Sequence, residues 1–111
     1  MAKPLPLLRG TLDILVLKTL SWGPMHAFEI TSWLEEKSGG RLDVDDSALL
    51  QALHRMEERE LIEGAWGVTE NNRRARYYSM TAKGRAFLKA ELAKLAEYTE
   101  TLSGVLAART V

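Results

Sequence analysis

The 111-residue chain contains no cysteine and only three prolines, and its fifteen basic and fifteen acidic residues cancel to a formal net charge of zero. The absence of cysteine excludes a disulfide framework and a thiolate metal site. No apolar run reaches the roughly 20 residues that a membrane-spanning helix needs, and the N-terminal MAKPLPLLRG lacks a signal-peptide pattern. We therefore expect a cytoplasmic protein of one domain with no membrane partner.

The stretch from Asp45 to Thr81 predicts a helix followed by a hairpin. The helix has a typical capping start at Asp45, Asp46 and Ser47. Its predicted buried face, at helical spacing, consists of Ala48, Leu49, Ala52, Leu53 and Met56. Its predicted polar face consists of Ser47, Gln51, His54, Arg55 and Glu58, with Leu50 at the edge. Such a helix suits the DNA major groove, where the four base pairs present distinct edges.

Alternating apolar residues after Leu61 predict two short strands. The alternating positions are Ile62, Trp66 and Val68 in the first strand, and Tyr78 and Met80 in the second. The connection, roughly Thr69 to Ala75, contains two asparagines that tolerate tight turns. Three arginines lie on or beside this tip, where they suit phosphate oxygens: Arg73, Arg74 and Arg76. A helix followed by a hairpin with an arginine tip is a winged helix-turn-helix arrangement.

Three further helices complete the predicted fold, which is mainly α with a small β-hairpin. The first covers about 11–20 after a cap at Thr11, and the second covers 25–37. The last follows a cap at Thr81 and covers about 82–108. The apolar residues of the first helix leave little polar surface, so this helix must pack against other elements on two sides.

The last helix carries the four-and-three spacing of a coiled-coil seam. The seam consists of Leu88, Leu92, Leu95, Thr99, Leu102 and Leu106. No internal partner of this length remains, although the first helix can cover part of the seam. We therefore predict a homodimer, with a DNA-binding part at 1–80 and a C-terminal dimerisation helix at 81–111 that forms one compact unit with the first helix.

The chain resembles the PadR family of bacterial transcriptional regulators, specifically its short branch with a single C-terminal helix. The resemblance covers LLRGTLDILVLKTLSWGPMHAFEI at 7–30, ALHRMEERELIEGAWGVTENNRRARYYSMTAKGR at 52–85, and the trailing helix. It implies a dimer that binds double-stranded operator DNA and represses neighbouring genes. Some members of the family release DNA when a small-molecule effector binds, so an effector is a further expected partner.

Two positions depart from the family pattern. The family's usual His-Gly-Tyr is His26, Ala27 and Phe28 here, and its Leu-Tyr-Pro is Leu49, Leu50 and Gln51. Gln51 offers an amide that can pair with adenine, whereas Leu50 offers apolar contact, for example with a thymine methyl. The last helix also lacks the tryptophan on which relatives stack drugs, which argues against a flat aromatic ligand between subunits.

The candidate DNA-binding residues also have plainer interpretations. The three arginines can form a solvated loop, and Ser47 and Gln51 can be ordinary helix surface. Arg55 can pair with Glu58 at i+3. The tryptophans at positions 22, 33 and 66 are expected in the core.

Neither histidine has the neighbours that a zinc site needs, and the sequence contains no nucleophile constellation or phosphate-binding glycine loop. We expect no cofactor, metal or enzymatic activity. The basic excess is small and local, since residues 61–80 hold three basic and two acidic groups. A winged-helix module that binds protein instead of DNA therefore stays open as the alternative.

Overall fold

A computed structural model of the chain describes residues 5, 7 and 10–109. Within these residues lie four helices and two antiparallel strands, which confirms the predicted fold class. The elements are α1 (Thr11–Leu20), α2 (Ala27–Lys37), α3 (Asp46–Glu58), β1 (Ile62–Val68), β2 (Arg74–Met80) and α4 (Ala82–Ala107). Residues 41–45 connect α2 to α3 without forming a strand.

The core lies where the first three helices meet the base of the hairpin. α3 contributes most of the predicted apolar face, because Leu49, Ala52, Leu53 and Met56 are buried, whereas Ala48 is half-buried. The other buried apolar residues are Val16, Leu17, Leu20, Ile30, Leu34, Val44, Leu61, Ile62, Tyr78 and Leu88. Packing on one side fixes α3 in place, so its polar side is presented to solvent as a rigid surface.

Two helix starts follow the predicted caps. The Asp45 carboxylate accepts a hydrogen bond from the backbone NH of Ala48 at 3.1 Å, which starts α3. The Thr81 hydroxyl accepts one from the backbone NH of Gly84 at 3.0 Å, which starts α4. Each cap satisfies one of the backbone NH groups that a first helical turn leaves without a partner.

The starts of the other two helices differ from the prediction. Thr11 is the first residue of α1 and not its cap, because Gly10 occupies the capping position without a side-chain hydrogen bond. α2 begins two residues later than predicted, after a cap formed by His26. The reason is that Met25 is held in extended backbone beside β2, where it exchanges two hydrogen bonds with the backbone of Tyr78, at 3.1 and 2.9 Å.

The hairpin has one face turned towards α3, here called its inner face. Strand pairing places Ile62 opposite Met80, Gly64 opposite Tyr78, Trp66 opposite Arg76, and Val68 opposite Arg74 on this face. Burial decreases from the base to the tip, because β1 extends past the helices that cover Ile62. The tryptophan prediction is therefore wrong for Trp66, which is 59% exposed, and also for Trp22, which is 70% exposed. Trp33 is half-buried.

Among the residues that the structure describes, the first turns of α4 are the part of this helix that contacts the core. Gly84 and Leu88 are its buried residues, and every described residue from Leu92 onwards is exposed. The helix has 26 residues and ends at Ala107, one residue before the predicted end. It spans about 39 Å at the standard rise per residue, and most of that length projects from the core.

Candidate nucleic-acid interface

The polar face of α3 is exposed, as the sequence predicts. Ser47, Gln51, His54 and Arg55 line one shallow groove together with Leu50, which is 54% exposed. Side chains that can donate, accept or make apolar contact therefore project from one rigid helix. This is the set of contacts that base edges and phosphates require of a helix in the major groove.

Arg55 is held by α1 and not by the Glu58 pairing considered above. Its guanidinium donates a hydrogen bond to the Asp13 carboxylate at 2.9 Å. Glu58 instead lies 3.0 Å from the imidazole of His54. A guanidinium has five NH donors, so the bond to Asp13 orients Arg55 and leaves further donors available to a ligand.

The hairpin tip is a compact five-residue turn. The Thr69 backbone NH donates to the Arg73 carbonyl at 2.8 Å, and the Asn72 NH donates to the Thr69 carbonyl at 2.9 Å. Asn72 has a φ of 57°, a left-handed conformation that asparagine tolerates better than most residues. These bonds give the tip a defined shape, so the arginine beside Asn72 projects from an ordered turn.

The hairpin formed by β1 and β2 is called the wing below. Its three arginines have different surroundings. Arg73 lies at the exposed tip, and Arg74 begins β2 with its guanidinium carbon 4.7 Å from the centre of the Trp66 ring. Arg76 is not part of the tip, because it lies within β2 and its guanidinium donates to the Glu57 carboxylate of α3. That hydrogen bond raises the pKa of Arg76 above its ordinary value, so the guanidinium keeps its charge.

The wing and the helices enclose a groove of about 900 Å³. Leu50 of α3 lines both this groove and the surface around Gln51. Phe28 at the start of α2 is 75% exposed, and the His26 ring contacts the Tyr77 ring edge-on with centres 5.3 Å apart. The remaining lining includes Trp66, Arg73 and Arg74.

Sequence reasoning missed the contact between Glu57 and Arg76, and it missed the aromatic residues that line this groove. Glu57 had only its place near the end of a helix to indicate a role, and that position is typical of solvated surface. Glu57 and Arg76 are 19 positions apart in the chain, so their contact depends on how the hairpin packs against α3. The local pattern around Glu57 contains no signal for it.

The predicted seam of α4 runs from the core to solvent. Leu88 is buried, whereas Leu92, Leu95 and Leu102 are 39%, 38% and 43% exposed, and Leu106 is 77% exposed. Thr99 is exposed as well. Large apolar residues along an exposed helix are typical of a surface that another chain covers.

Residues 5, 7 and 10–109 contain neither a cluster of metal-ligating side chains nor a helix that could span a membrane. No three histidine, aspartate or glutamate side chains lie together there as a potential metal site. Among the helices of the same residues, none combines the length and the apolar character required to traverse a bilayer.

Comparisons with known proteins agree with this geometry. The sequence model of the transcriptional regulator PadR-like family matches residues 16–90. An uncharacterised protein from Lysinibacillus sphaericus is 24% identical over 96 residues, which are 86% of this chain and 88% of that protein. A transcriptional regulator from Clostridium thermocellum has a similar structure, with a TM-score of 0.79 and 24% identity, over 90% of this chain and 93% of the other.

A second structural likeness is to Bacillus subtilis PadR, whose structure was solved in complex with operator DNA. The TM-score is 0.66 and the identity 21%, over 74% of this chain and 46% of the other. At these identities the structural matches establish the shared winged-helix fold. The family match extends over most of the chain, from α1 into α4, and that family consists of transcription regulators and not of enzymes. This chain belongs to the PadR-like family of transcriptional regulators.

Proposed function

We propose that this regulator is a dimeric repressor that binds double-stranded operator DNA upstream of neighbouring genes. One observation carries the proposal: Leu50 joins the polar face of α3 and the wing groove into one continuous surface. In this arrangement α3 enters the major groove, and the wing contacts flanking phosphates. The proposed DNA-binding residues are Ser47, Gln51, Arg55, Arg73, Arg74 and Arg76.

The fold shared with Bacillus subtilis PadR supports this mode of binding, because that protein was solved on operator DNA. We assign residues 1–80 to DNA binding and residues 81–111 to dimerisation. Two recognition helices related by a two-fold axis would read half-sites about one helical turn apart, roughly 34 Å. A cytoplasmic location follows from a DNA partner.

The proposed dimer is formed by the α4 seam together with α1. The supporting observation is the row of exposed leucines on a helix that packs against few of the described residues of its own chain. Burying these side chains between two copies removes apolar surface from water on both sides. Sedimentation should therefore give about twice the 12.4 kDa of one chain at micromolar concentration. A single-chain mass under those conditions would refute the dimer.

Leu102→Glu should break this dimer. The two-fold symmetry brings two carboxylates into one apolar seam, and each uncompensated charge costs several kcal/mol to desolvate. We expect the dimer dissociation constant to rise by about a hundredfold or more. The matched control is Thr101→Glu, which adds the same charge to the neighbouring exposed position outside the seam. Equal sedimentation of the two variants would place the interface elsewhere.

Gln51→Ala should relax sequence preference at one base position of each half-site. An amide that pairs with adenine contributes ~1–3 kcal/mol of discrimination, and its loss should leave the salt dependence unchanged. Selection of bound sequences from random DNA, carried out with both proteins, measures this directly. A uniform loss of affinity with a smaller salt slope would instead identify Gln51 as a phosphate contact.

A protein-binding winged helix is the second candidate function. The observation that favours it is the exposed apolar content of the same surface: Phe28, Leu50, Trp66 and Val68 are all more than half exposed. The zero net charge of the chain is consistent with it. An electrophoretic shift titration on DNA upstream of the gene for this protein separates the two candidates. Binding that weakens steeply with salt supports the repressor, and no binding at low salt supports the protein-binding module.

We further propose that a small-molecule effector, where one acts, binds between the subunits. A ligand there can change the separation of the two wings and so bias the fit to DNA, provided that it binds the two arrangements with different affinity. Saturation of an interface ligand with no change in operator affinity would count against this placement.

A further inference from the structure

Glu57 is an unexpected residue on a surface proposed to contact DNA. It lies in the last two turns of α3, and its carboxylate forms an ion pair with Arg76 of β2, with each side chain about one-third exposed. A carboxylate near phosphates is repelled by them. Its contact with Arg76 instead joins α3 to the wing, which suggests that Glu57 helps to orient the wing.

The hairpin is shaped to allow this contact. The Arg76 side chain lies across Gly64 on the neighbouring strand, and a Cβ added to Gly64 would lie 2.5 Å from the Arg76 Nε and 2.8 Å from its Cζ. Any larger residue at position 64 would push the guanidinium away from β1. Glycine weakens a strand interior, so its presence here is explained by the close approach of Arg76.

The contact extends towards the wing tip through Trp66. The guanidinium carbons of Arg76 and Arg74 lie 5.9 and 4.7 Å from the centre of the Trp66 ring. Cation–π contacts of this kind add to the charge-assisted hydrogen bond at Glu57. The chain of contacts thus runs from α3 through Arg76 and Trp66 to Arg74, beside the tip.

We propose that Glu57 is a positioning residue for DNA binding, which holds the wing at a fixed angle to α3 through Arg76. The inference rests on the proposed function above. A two-stranded hairpin has little stability of its own, so its direction depends on its contacts with the helices. Phosphates occupy fixed positions relative to the major groove, and an ordered wing therefore binds them at a lower entropic cost.

Simple electrostatics makes the opposite prediction for the same residue. Removing a carboxylate from a DNA-facing surface reduces repulsion and should tighten binding. Positioning requires that the removal of Glu57 weakens binding, because Arg73 and Arg74 lose their alignment. Whether the removal of Glu57 weakens or tightens DNA binding therefore decides between positioning and simple electrostatic repulsion.

The experiment measures operator affinity at one salt concentration for Glu57→Ala and for Glu58→Ala. Glu58 is the matched control, since it lies next to Glu57 on α3 and pairs with His54 and not with the wing. We expect Glu57→Ala to bind about tenfold more weakly, and Glu58→Ala to bind as tightly as the wild type or more tightly. Affinity of Glu57→Ala equal to or greater than that of the wild type would overturn the proposal.

Two further variants separate positioning from loss of structure. In an Arg73→Ala, Arg74→Ala background the phosphate contacts of the wing tip are absent, so the loss of their alignment in Glu57→Ala should add little. An undiminished effect there would mean that Glu57 acts through α3 itself, and would also overturn the proposal. Glu57→Gln keeps one accepting oxygen and should fall between wild type and alanine, with an unchanged melting temperature. Failure of the wild type to bind any DNA would reject the proposed function, whereas wild-type affinity of Glu57→Ala for a bound operator would reject only the role of Glu57.

Discussion

Gly84→Ala is expected to destabilise the protein by about 3 kcal/mol, the usual order for forcing extra atoms into a packed site. A Cβ at Gly84 would overlap the backbone carbonyl oxygen of Leu61, and it would lie 2.9 Å from the carbonyl carbon and 3.0 Å from the Met80 Cγ. Backbone cannot move aside as a side chain can, so α4 would have to shift away from the base of the hairpin. Chemical or thermal unfolding of the purified variant measures the decrease in the free energy of unfolding.

The matched control is Gly104→Ala in the same helix. A Cβ there meets nothing within 4 Å, and alanine is favoured over glycine in a helix by ~1 kcal/mol. Gly104→Ala should therefore stabilise the protein while Gly84→Ala destabilises it, although helix propensity alone predicts the same gain at both sites. Two variants of equal stability would show that α4 does not approach Leu61 as closely as the structure has it.

The contrast between these glycines shows where sequence reasoning stops. From the sequence alone Gly84 and Gly104 are equivalent positions in a long helix, because helix propensity treats every glycine alike. The structure separates them by what surrounds each one: Gly84 is buried where α4 crosses the end of the segment that leads into β1, and Gly104 lies in open space. That difference depends on tertiary packing, which helix propensity does not take into account.

Periodic features and two of the three predicted caps were predicted correctly, whereas the cap predicted at Thr11 was wrong. The core face of α3 follows from residues three and four apart, and the caps at Asp45 and Thr81 follow from a side chain that bonds a backbone NH three residues later. Alternation along the hairpin placed Trp66 on the same face as Ile62. Alternation does not reveal how far a strand extends beyond its cover, so the exposure of Trp66 was not foreseen.

The candidate site was predicted in part for the same reason. Its helix surface follows from amphipathicity, and the Arg73–Arg74 tip follows from its position in a turn. The separate role of Arg76 was not visible, because an arginine in strand β2 differs from one at the tip only through its partner Glu57 on another element. Contacts across elements are thus the part of the site that required three-dimensional information.

Replacing Arg73 and Arg74 together with alanine should weaken DNA binding for all sequences alike and flatten its dependence on salt. Arg73 is exposed at the ordered tip, and Arg74 lies against the Trp66 ring, which supports the proposal that both contact phosphates. Each lost phosphate contact lowers the logarithmic salt slope by about 0.9, and two contacts per subunit of the proposed dimer give a decrease of about 3.6. Binding isotherms at several salt concentrations measure this slope.

The control for this double replacement is Lys83→Ala with Arg85→Ala. It removes the same two positive charges from exposed positions at the start of α4, which follows the end of β2 that is opposite the tip. If only the total charge of the protein mattered, both double variants would reduce the slope equally. We expect the slope to fall by about 3.6 only when the tip is changed, because counterions are released where a guanidinium replaces them on the phosphate. An unchanged slope in the tip variant would exclude the wing from the DNA contact.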